Sequence, residues 1–414
     1  MTRFRSHAFT RAFSVRHAPA RLPRKGDKVV VGMSGGVDSS VTAKLLAEKD
    51  YDLSAVFMRN WDSRDEKASD IGCEWEKDWE DVQRVCKMLD IPHRMIDLSR
   101  DYWNRVFEPS LKAWESGVTP NPDIWCNKEI KFGSLLEHLP PDTQFLATGH
   151  YARKDHDAET GRPKLLRCAD PTKDQTYFLS SISEHGLSKA LFPLADLTKT
   201  RIREIAHAAG LPTASRAESM GICFVGEKRR FSEFLSDYFP PRPGPICDLK
   251  TGRVLAEHSG LWSLTIGQNA RVPGMPERMF VVSKDPSSNI IWVSNGASPA
   301  LRVPSITCSD FAWIWADSPP GGIDSPHGFR ASVKVRHKTG QTPCTVFRAS
   351  SGGVRIEFDE LEKGVAEGQV AVLWDGNWCL GCGTISGIEH AASSAPPAEP
   401  VLAAGVESLP VSLT

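Results

Sequence analysis

The chain of 414 residues is poor in several features, and each absence excludes a class of protein. It contains no run of about 18 consecutive apolar residues, which excludes a conventional transmembrane helix. Its 50 basic and 51 acidic residues leave a net charge of −1, so bulk charge alone does not bind nucleic acid, although a local basic patch can. Ten cysteines are too few for a secreted scaffold held together by disulfides. What remains is the composition of a globular enzyme of two or three domains.

The first 26 residues lack any acid and carry seven basic residues. Phe4, Phe9 and Phe13 are spaced among small residues and arginines. An acid-free, Arg-rich segment of this kind is typical of a mitochondrial presequence, and the alternative is a disordered basic arm that contacts RNA. A secretory signal is excluded because there is no apolar central region. At the other end, residues 388–414 are rich in Ala, Ser, Pro and Val, which predicts a disordered tail.

The first ordered segment predicts a phosphate site. The apolar run at 29–31 has the pattern of a buried parallel strand, the sequence GMSGGVDSS follows at 32–40, and a helical period begins at Val41. A strand, a Gly/Ser loop and a helix together direct backbone N–H groups toward an anion. Asp38 is the hard-oxygen ligand that can hold Mg²⁺ against a pyrophosphate. The segment lacks the Gly-Lys-Ser/Thr ending of a Walker A loop and the spacing of a dinucleotide-binding loop.

An α/β pattern continues through the first half of the chain. Strands are predicted at 53–58, 93–97 and 144–150, and an apolar stripe predicts a helix over 74–89 that buries Cys86. The fourth strand ends in Gly149-His150, which puts Gly149 beside the nucleotide because ligands gather at the carboxyl ends of such strands. Thr198 is predicted to cap a helix that ends before Gly210.

Two cysteines have unusual surroundings. Cys126 lies in TPNPDIWCNK, where prolines prevent a preceding helix, Asp123 is three residues away, and Lys128 and Lys131 favour a thiolate. Cys223 lies in GICFVG, followed by basic residues. Either thiol taken singly is a common buried small side chain. If the phosphate loop at 32–40 takes ATP, however, a carbonyl oxygen can be activated as an adenylate and a sulfur nucleophile can displace AMP.

From Pro245 to Ser386, Gly and Pro divide the chain into short strands. This pattern predicts a small β-rich central domain at 220–298 and a β-barrel at 299–387, after an α/β domain at 27–219 and the presequence at 1–26. Cys379 and Cys382 form the single C-x-x-C pair, which lacks the second pair that a zinc site needs.

Eight motifs in order make the chain similar to the tRNA-specific 2-thiouridylase family, in its mitochondrial branch, over about residues 28–386. The motifs are GMSGGVDSS at 32–40, TPNPDIWCNK at 119–128, ATGHYAR at 147–153, KDQTYFL at 173–179, GICFVG at 221–226, HSGLW at 258–262, TIGQ at 265–268 and DGNWCLG at 375–381. The resemblance implies an N-terminal PP-loop ATP-pyrophosphatase domain, the small central domain and the C-terminal barrel.

The resemblance also implies an activity and its residues. ATP, with Mg²⁺ on Asp38, is expected at Gly32, Met33, Ser34, Gly35, Gly36, Val37, Asp38 and Ser39, with Met58 and Gly149 near the adenosine. The wobble uridine of a tRNA, flipped out of its stack, is expected to face Asn121, Pro122 and Asp123. Cys223 is the expected persulfide carrier, Cys126 is its partner thiol, and Asp123 is a general acid/base. Either the persulfide attacks C2 directly, or Cys126 forms a disulfide with Cys223 and releases sulfide.

The resemblance further places tRNA contacts at Lys173, Asp174 and Gln175 and at Arg336 and His337, where the family has Arg-Tyr. Basic residues at 198–203 and 227–230 are added candidates. In residues 331–338 a strand alternation predicts Lys334, Arg336 and Lys338 on one face. The expected partners are the Lys, Glu and Gln tRNAs and a persulfide donor supplied by a cysteine desulfurase, all in the mitochondrial matrix and with no membrane.

Two alternatives remain open from the sequence. A different PP-loop enzyme, such as an amide or guanidine ligase, needs neither cysteine. An RNA-binding protein with an inactive ATP site is the other alternative, and turnover of ATP to AMP excludes it.

Overall fold

The computed structural model describes residues 21–61, 74–218, 231–350 and 352–390. Its order is an N-terminal α/β unit, a small β-rich unit and a C-terminal barrel, as the sequence predicts. The presequence candidate is described only from residue 21, and there Arg21 pairs with Asp27 at 2.6 Å and Lys25 with Asp50 at 3.1 Å. Among the residues described, no helix is long and apolar enough to cross a membrane.

A parallel sheet forms the centre of the N-terminal domain, with strand order β3-β2-β1-β4-β7. Its strands are β1 (Lys28–Met33), β2 (Asp52–Arg59), β3 (His93–Asp97), β4 (Phe145–Thr148) and β7 (Ala190–Leu191). Val30 belongs to one buried core and Val29 and Val31 to another, so both faces of the sheet are covered. Strands β2 and β3 lie on one side of β1, and β4 and β7 lie on the other, so the strand order reverses between β1 and β4. That position is the switch point where ligands bind in such sheets.

In the part of the chain that the structure describes, ten α-helical segments are found. They are α1 (Val37–Ala47), α2 (Glu74–Met88), α3 (Ser99–Tyr102), α4 (Glu108–Glu115), α5 (Pro122–Trp125), α6 (Leu135–His138), α7 (Thr176–Leu179), α8 (Glu184–Lys189), α9 (Lys199–Ala208) and α10 (Phe231–Leu235), with wide π-type turns at Trp103–Phe107 and Cys126–Ser134 and short 3₁₀ turns at Leu261–Ser263 and Pro299–Leu301. Two sequence predictions are confirmed here: Cys86 is fully buried, and the Thr198 hydroxyl caps α9 by accepting the Arg201 N–H at 3.3 Å.

The central domain is a four-stranded sheet in the order β10-β11-β8-β9. Its strands are β8 (Gly244–Asp248), β9 (Val254–His258), β10 (Met279–Asp285) and β11 (Ile290–Asn295).

Six antiparallel strands close the C-terminal barrel, because β12 pairs with both β16 and β18. The strands are β12 (Arg302–Cys308), β14 (Phe329–Lys334), β15 (Thr342–Arg348), β16 (Val354–Lys363), β17 (Val370–Asp375) and β18 (Trp378–Glu389), and the short β13 (Ala312–Trp313) pairs with β18. Along β17, Leu373 faces the barrel interior, whereas Val372 and Trp374 belong to the core shared with the N-terminal domain. The outer face of the barrel is therefore buried against the first domain.

One hairpin of the first domain joins the barrel sheet. Strands β5 (Arg153–His156) and β6 (Pro163–Leu166) pair with each other, and β6 pairs with β18 through Leu165 and Leu166. The sequence places this hairpin inside a separate α/β unit. The ladder to β18 is a long-range pairing that no local period encodes.

The predicted strand over 331–338 is wrong at its end. β14 stops at Lys334, and the chain bends at Val335 and Arg336. Val333 and Val335 are both buried, as the alternation predicts, but the bend ends the strand before Arg336, so Lys334, Arg336 and Lys338 do not form one strand face. The fourth strand is also shorter than predicted, and Gly149 and His150 follow it.

Candidate functional site: a nucleotide loop and a pocket between three domains

The GMSGGVDSS segment connects the end of β1 to the start of α1 and is held by its own hydroxyl groups. The Ser34 N–H donates to the Ser39 Oγ at 3.2 Å, and the hydroxyls of Ser39 and Ser40 donate to the Gly36 carbonyl at 3.1 and 2.9 Å. Gly35 adopts φ +75°, a conformation that favours glycine. The loop therefore brings the amino end of an 11-residue helix to the switch point of the sheet, an arrangement that binds phosphate.

Gly149 packs directly against this loop. A Cβ at Gly149 would lie 2.9 Å from the Ser39 N and 3.0 Å from the Asp38 carbonyl carbon, closer than side chains pack. Met58, half-buried near the end of β2, lies at the same edge of the sheet. The predicted nucleotide residues 32–39, Met58 and Gly149 are thus brought to one edge.

Asp38 stands in a network of charged residues. The Lys199 Nζ donates to both Asp38 carboxylate oxygens at 2.8 Å, and the Tyr151 hydroxyl donates to Oδ1 at 2.7 Å. Glu218 accepts from the Lys173 Nζ at 2.7 Å and lies 3.4 Å from the Lys199 Nζ. Burial and the Asp38 charge raise the pKa of Tyr151, so this hydroxyl stays a donor.

Lys199 is one of the basic residues at 198–203 that the sequence offers as RNA contacts, and the structure pairs it with Asp38 at the nucleotide loop. A contact of Lys199 with RNA stays a prediction. Asp38 fits the role of a Mg²⁺ ligand, since Mg²⁺ is usually held by one or two carboxylates together with substrate phosphates. In the described part of the chain, no group of three or more metal-ligating side chains is found.

The second predicted site begins at a short helix. Asn121 caps α5, since its Oδ1 accepts the Ile124 N–H at 3.4 Å, and Pro122 occupies the first turn, where its missing N–H costs nothing. Cys126 follows at the start of the wide-turn segment Cys126–Ser134 and is buried. Asn127 Nδ2 donates to the Asp123 carbonyl at 3.0 Å and to the Phe178 carbonyl at 3.1 Å, which fixes this turn to α7.

Asp123 has an electrostatic environment suited to proton transfer. Burial raises the pKa of its carboxyl, and the charge of Lys131 opposes the rise only in part. The Lys131 Nζ also lies 3.4 Å from the His150 Nε2, which must accept, so the Nδ1–H of His150 donates to the Thr148 Oγ1 at 2.8 Å. Lys128 pairs with Glu129 at 3.1 Å. The predicted support of Lys128 and Lys131 for a Cys126 thiolate stays a prediction.

A cavity of about 240 Å³ opens beside Asn121, Pro122 and Asp123. This volume lies just below the range of about 300–1,000 Å³ of small-molecule pockets and suits one nucleoside. All three domains contribute to its walls. They supply Trp114, Thr119, Pro120 and Phe178 from the first, Phe231, Trp262, Thr265 and Lys284 from the central region, and Gln369 from the barrel.

The predicted tRNA contacts at 173–175 lie between the nucleotide loop and the barrel. Lys173 pairs with Glu218, the buried Asp174 carboxylate accepts from the Thr176 hydroxyl at 2.9 Å, and Gln175 Oε1 accepts the Tyr151 N–H at 2.9 Å. Their contact with tRNA stays a prediction.

Arg336 and His337 also make contacts within the protein. The Arg336 guanidinium donates to the Ile266 carbonyl at 2.6 Å, and the His337 ring lies against Phe178 with 4.4 Å between centroids. Burial lowers the pKa of His337, so this side chain is neutral at pH 7. His337 thus packs against Phe178, a side chain that lines the cavity.

Cys223 and residues 227–230 lie outside the described residues. A larger cavity of about 540 Å³ shares none of the predicted site residues; Lys128, Phe132 and Lys189 are among its lining.

Sequence reasoning missed several lining residues of the smaller cavity. Phe178 and Trp262 belong to the motifs KDQTYFL and HSGLW, so the sequence marks both residues but does not say that they line a cavity. Lys284 and Gln369 belong to no motif quoted above. Only the packing of the domains brings them to this cavity.

Each of the three domains matches a known family model. Family models described as a tRNA methyl transferase HUP domain, a tRNA methyl transferase PRC-barrel domain and an aminomethyltransferase beta-barrel domain match residues 27–227, 232–295 and 303–385. These bounds agree with the fold, except that the sheet of the barrel extends into the first match through β5 and β6.

Relatives extend over nearly the whole chain. The chain is 43% identical to the tRNA-specific 2-thiouridylase MnmA of Alkaliphilus oremlandii over 88% of its own length and 98% of that protein. It is 43% identical to that of Bacillus subtilis, covering 87% and 95%, and 42% identical to that of Paraburkholderia phytofirmans, covering 91% and 98%. The motif residues, the three-domain order and this similarity agree, and the chain belongs to the tRNA-specific 2-thiouridylase family.

Proposed function

We propose that this protein uses ATP to replace the C2 oxygen of a tRNA wobble uridine with sulfur, which makes it a tRNA-uridine 2-sulfurtransferase. The observation that carries the proposal is the cavity between the three domains. It combines the polar edge of Asn121 and Asp123 with aromatic side chains, next to Cys126. A flipped pyrimidine needs this combination, a hydrogen-bonding edge and faces to stack on.

The nucleotide loop supports the activation step. Residues 32–39 and the amino end of α1 hold the phosphates of ATP, and Lys199 adds a cation at the same place. Mg²⁺ on Asp38 would neutralise phosphate charge. The C2 oxygen of the uridine attacks the α-phosphate, and pyrophosphate leaves. Asp123, with its raised pKa, exchanges the proton at the base.

The sulfur step involves two thiols. In one route the terminal sulfur of a Cys223 persulfide attacks C2 and AMP leaves with the former C2 oxygen. Cys126 then attacks the Cys223 sulfur, which breaks the S–S bond, frees the 2-thiouridine and leaves a Cys126–Cys223 disulfide. In the other route Cys126 attacks the Cys223 sulfur first, forms the same disulfide and releases sulfide, which attacks C2 as AMP leaves. An external thiol reduces the disulfide before the next turnover. The persulfide itself comes from a cysteine desulfurase system.

The basic, acid-free segment 1–26 supports a mitochondrial location, where the Lys, Glu and Gln tRNAs are the expected substrates. A fluorescent protein fused behind residues 1–26 tests the location. Uniform cytosolic fluorescence contradicts it.

The function itself is tested by the 2-thiouridine content of wobble positions in mitochondrial tRNAs. Cells without the chain, or with Cys126→Ser or Cys223→Ser, are expected to lose the modification. Cys168→Ser is a matched control, since Cys168 lies outside the cavity lining and its thiol only donates to the Asp170 carbonyl at 3.1 Å. Persistence of 2-thiouridine in cells without the chain contradicts the proposal. If the wild-type chain forms no 2-thiouridine and Cys126→Ser still turns ATP over to AMP, a ligase is favoured instead.

A further inference from the structure

Lys284, on strand β10 of the central domain, is the one cationic side chain lining the 240 Å³ cavity within the described part of the chain. Its Nζ donates to the Gly117 carbonyl at 2.9 Å. Among the residues described, no carboxylate forms an ion pair with it. Burial lowers the pKa of the amine to about 8, with no neighbouring charge to offset the loss of water.

A half-buried ammonium without a counter-charge lowers the stability of the fold, because folding removes water from the charge and no opposite charge replaces that water. One neutral carbonyl accounts for one of its three N–H donors. The contact with Gly117 ties β10 to the turn after α4, but a neutral donor could make that contact without the cost of a charge. The remaining donors are available to an anion that enters the cavity.

The other lining residues account for the remaining parts of a nucleotide. Trp262 and Phe178 offer aromatic faces to a base, and Asn121 and Asp123 offer polar groups to its edge. A nucleotide held in this way still carries its backbone phosphate, and no other basic side chain among the described lining residues can meet it.

We propose that Lys284 binds a backbone phosphate flanking the flipped uridine. The proposal rests on the proposed tRNA substrate and adds to it a residue that positions the RNA from the central domain. A contact of this kind carries no sequence information, and it fixes how deeply the nucleotide enters the cavity.

The test uses the full chain and an anticodon stem–loop RNA, with Kd measured against KCl concentration. Lys284→Met is expected to weaken binding about 10- to 100-fold, the effect of losing one charge-assisted hydrogen bond. It should also reduce the salt slope by about 0.7, the value for one phosphate on single-stranded RNA. Lys284→Arg keeps the charge and should keep the slope.

Lys363→Met is the matched control. Lys363 likewise donates to a glycine carbonyl, that of Gly296 at 3.0 Å, but it lies outside the cavity. Its Kd and salt slope are expected to equal those of the wild-type chain.

Two further RNAs carry a neutral methylphosphonate on the 5′ or the 3′ side of the wobble uridine. For the wild-type chain, one of these two RNAs should bind as weakly as the unmodified RNA binds to Lys284→Met. For Lys284→Met, the same modified RNA should bind no more weakly than the unmodified RNA. Unchanged binding by Lys284→Met, or additive losses at both positions, overturns the proposal. If Lys284→Met does not fold, no loss at either methylphosphonate in the wild-type chain overturns it.

The unmodified RNA separates this proposal from the proposed function. If the wild-type chain neither binds nor thiolates that RNA, the proposed function fails. If the wild-type chain binds and thiolates that RNA, and Lys284→Met binds it equally well, the proposed function stands and only the phosphate contact fails.

Discussion

At the scale of single residues, the nucleotide site depends on space that glycine leaves open. Gly149 follows β4 and touches the backbone of Ser39 and Asp38, so the two loops at the switch point approach as closely as two main chains can. The hydrogen bonds of Ser34 and Ser39 hold the loop from within. The close approach, together with the position of α1, gives the site its shape.

Gly149→Ala is expected to lower ATP affinity at least about tenfold, because its Cβ would displace the Ser39 N from 2.9 Å. Equilibrium binding of ATP measures this. Gly340→Ala is the matched control, since a Cβ there meets nothing within 4 Å, and its ATP affinity should be unchanged. Equal ATP affinities for the two variants would show that the loop at 32–40 moves to accept the added Cβ without weakening ATP binding.

His150 gives a residue-scale prediction for pH. Burial holds its pKa well below 6.5, so the unfolded chain binds a proton that the folded chain does not as the pH falls through about 6.5. Stability is therefore present above that pH and is lost below it. Between pH 7.5 and 5.5 the loss from this one group is about 1.4 kcal/mol.

Urea unfolding at the two pH values measures this loss. His150→Asn should remove about that much of the pH dependence, whereas exposed His327→Asn should leave it unchanged. An identical pH dependence in wild-type and His150→Asn would mean that His150 takes up its proton as readily in the folded state as in the unfolded state.

At the scale of elements, the hairpin β5–β6 connects two domains that the sequence presents as separate. Leu165 is fully buried and pairs with Cys379 of β18, in the same core as Trp374. The outer face of the barrel and the first domain therefore share one core. Their unfolding is expected to be coupled rather than sequential.

Leu165→Ala is expected to lower the free energy of unfolding by about 2–5 kcal/mol, since it leaves a cavity in this shared core. Urea unfolding is followed by tryptophan fluorescence, which reports on all three domains, and by ATP binding, which reports on the first. Leu361→Ala, at a side chain 50% exposed, should stay within about 0.5 kcal/mol of the wild-type chain. Two separate fluorescence transitions, with ATP binding lost in only one of them, would refute the coupling.

At the scale of the whole molecule, the candidate uridine pocket exists only where three domains meet. Gln369 of the barrel donates from Nε2 to the Thr119 carbonyl at 3.1 Å, across 250 residues of sequence. The Thr119 N–H in turn donates to the Glu367 carbonyl at 3.1 Å. The barrel thereby fixes the segment that leads into Asn121 and Asp123. Positioning this wall of the pocket is one function of the barrel.

Trp262→Ala tests the contribution of the central domain to this pocket. Loss of one stacking surface is worth about 1–3 kcal/mol, so the Kd for the anticodon stem–loop should rise about 5- to 150-fold while ATP affinity is unchanged. Trp262→Phe keeps an aromatic face and should restore most of the affinity. A parallel loss of ATP binding would indicate a general structural defect instead.

Much of this protein follows from local sequence. The strand–loop–helix at 28–47, the cap at Thr198 and the buried stripe of α2 are set by hydrophobic period, glycine placement and capping within a few residues. The motif residues Asn121, Asp123 and Cys126 are likewise visible in the chain, because prolines and polar residues in that order fix a short capped helix.

The tertiary structure alone decided the rest. It paired Lys199 with Asp38 at the nucleotide loop, ended β14 before Arg336, and joined β6 to the barrel. It also brought Trp262, Lys284 and Gln369 to one cavity with Asp123. A periodic pattern records which face of an element is buried but not which distant element covers it, so contacts across hundreds of residues depend on the packing of whole domains.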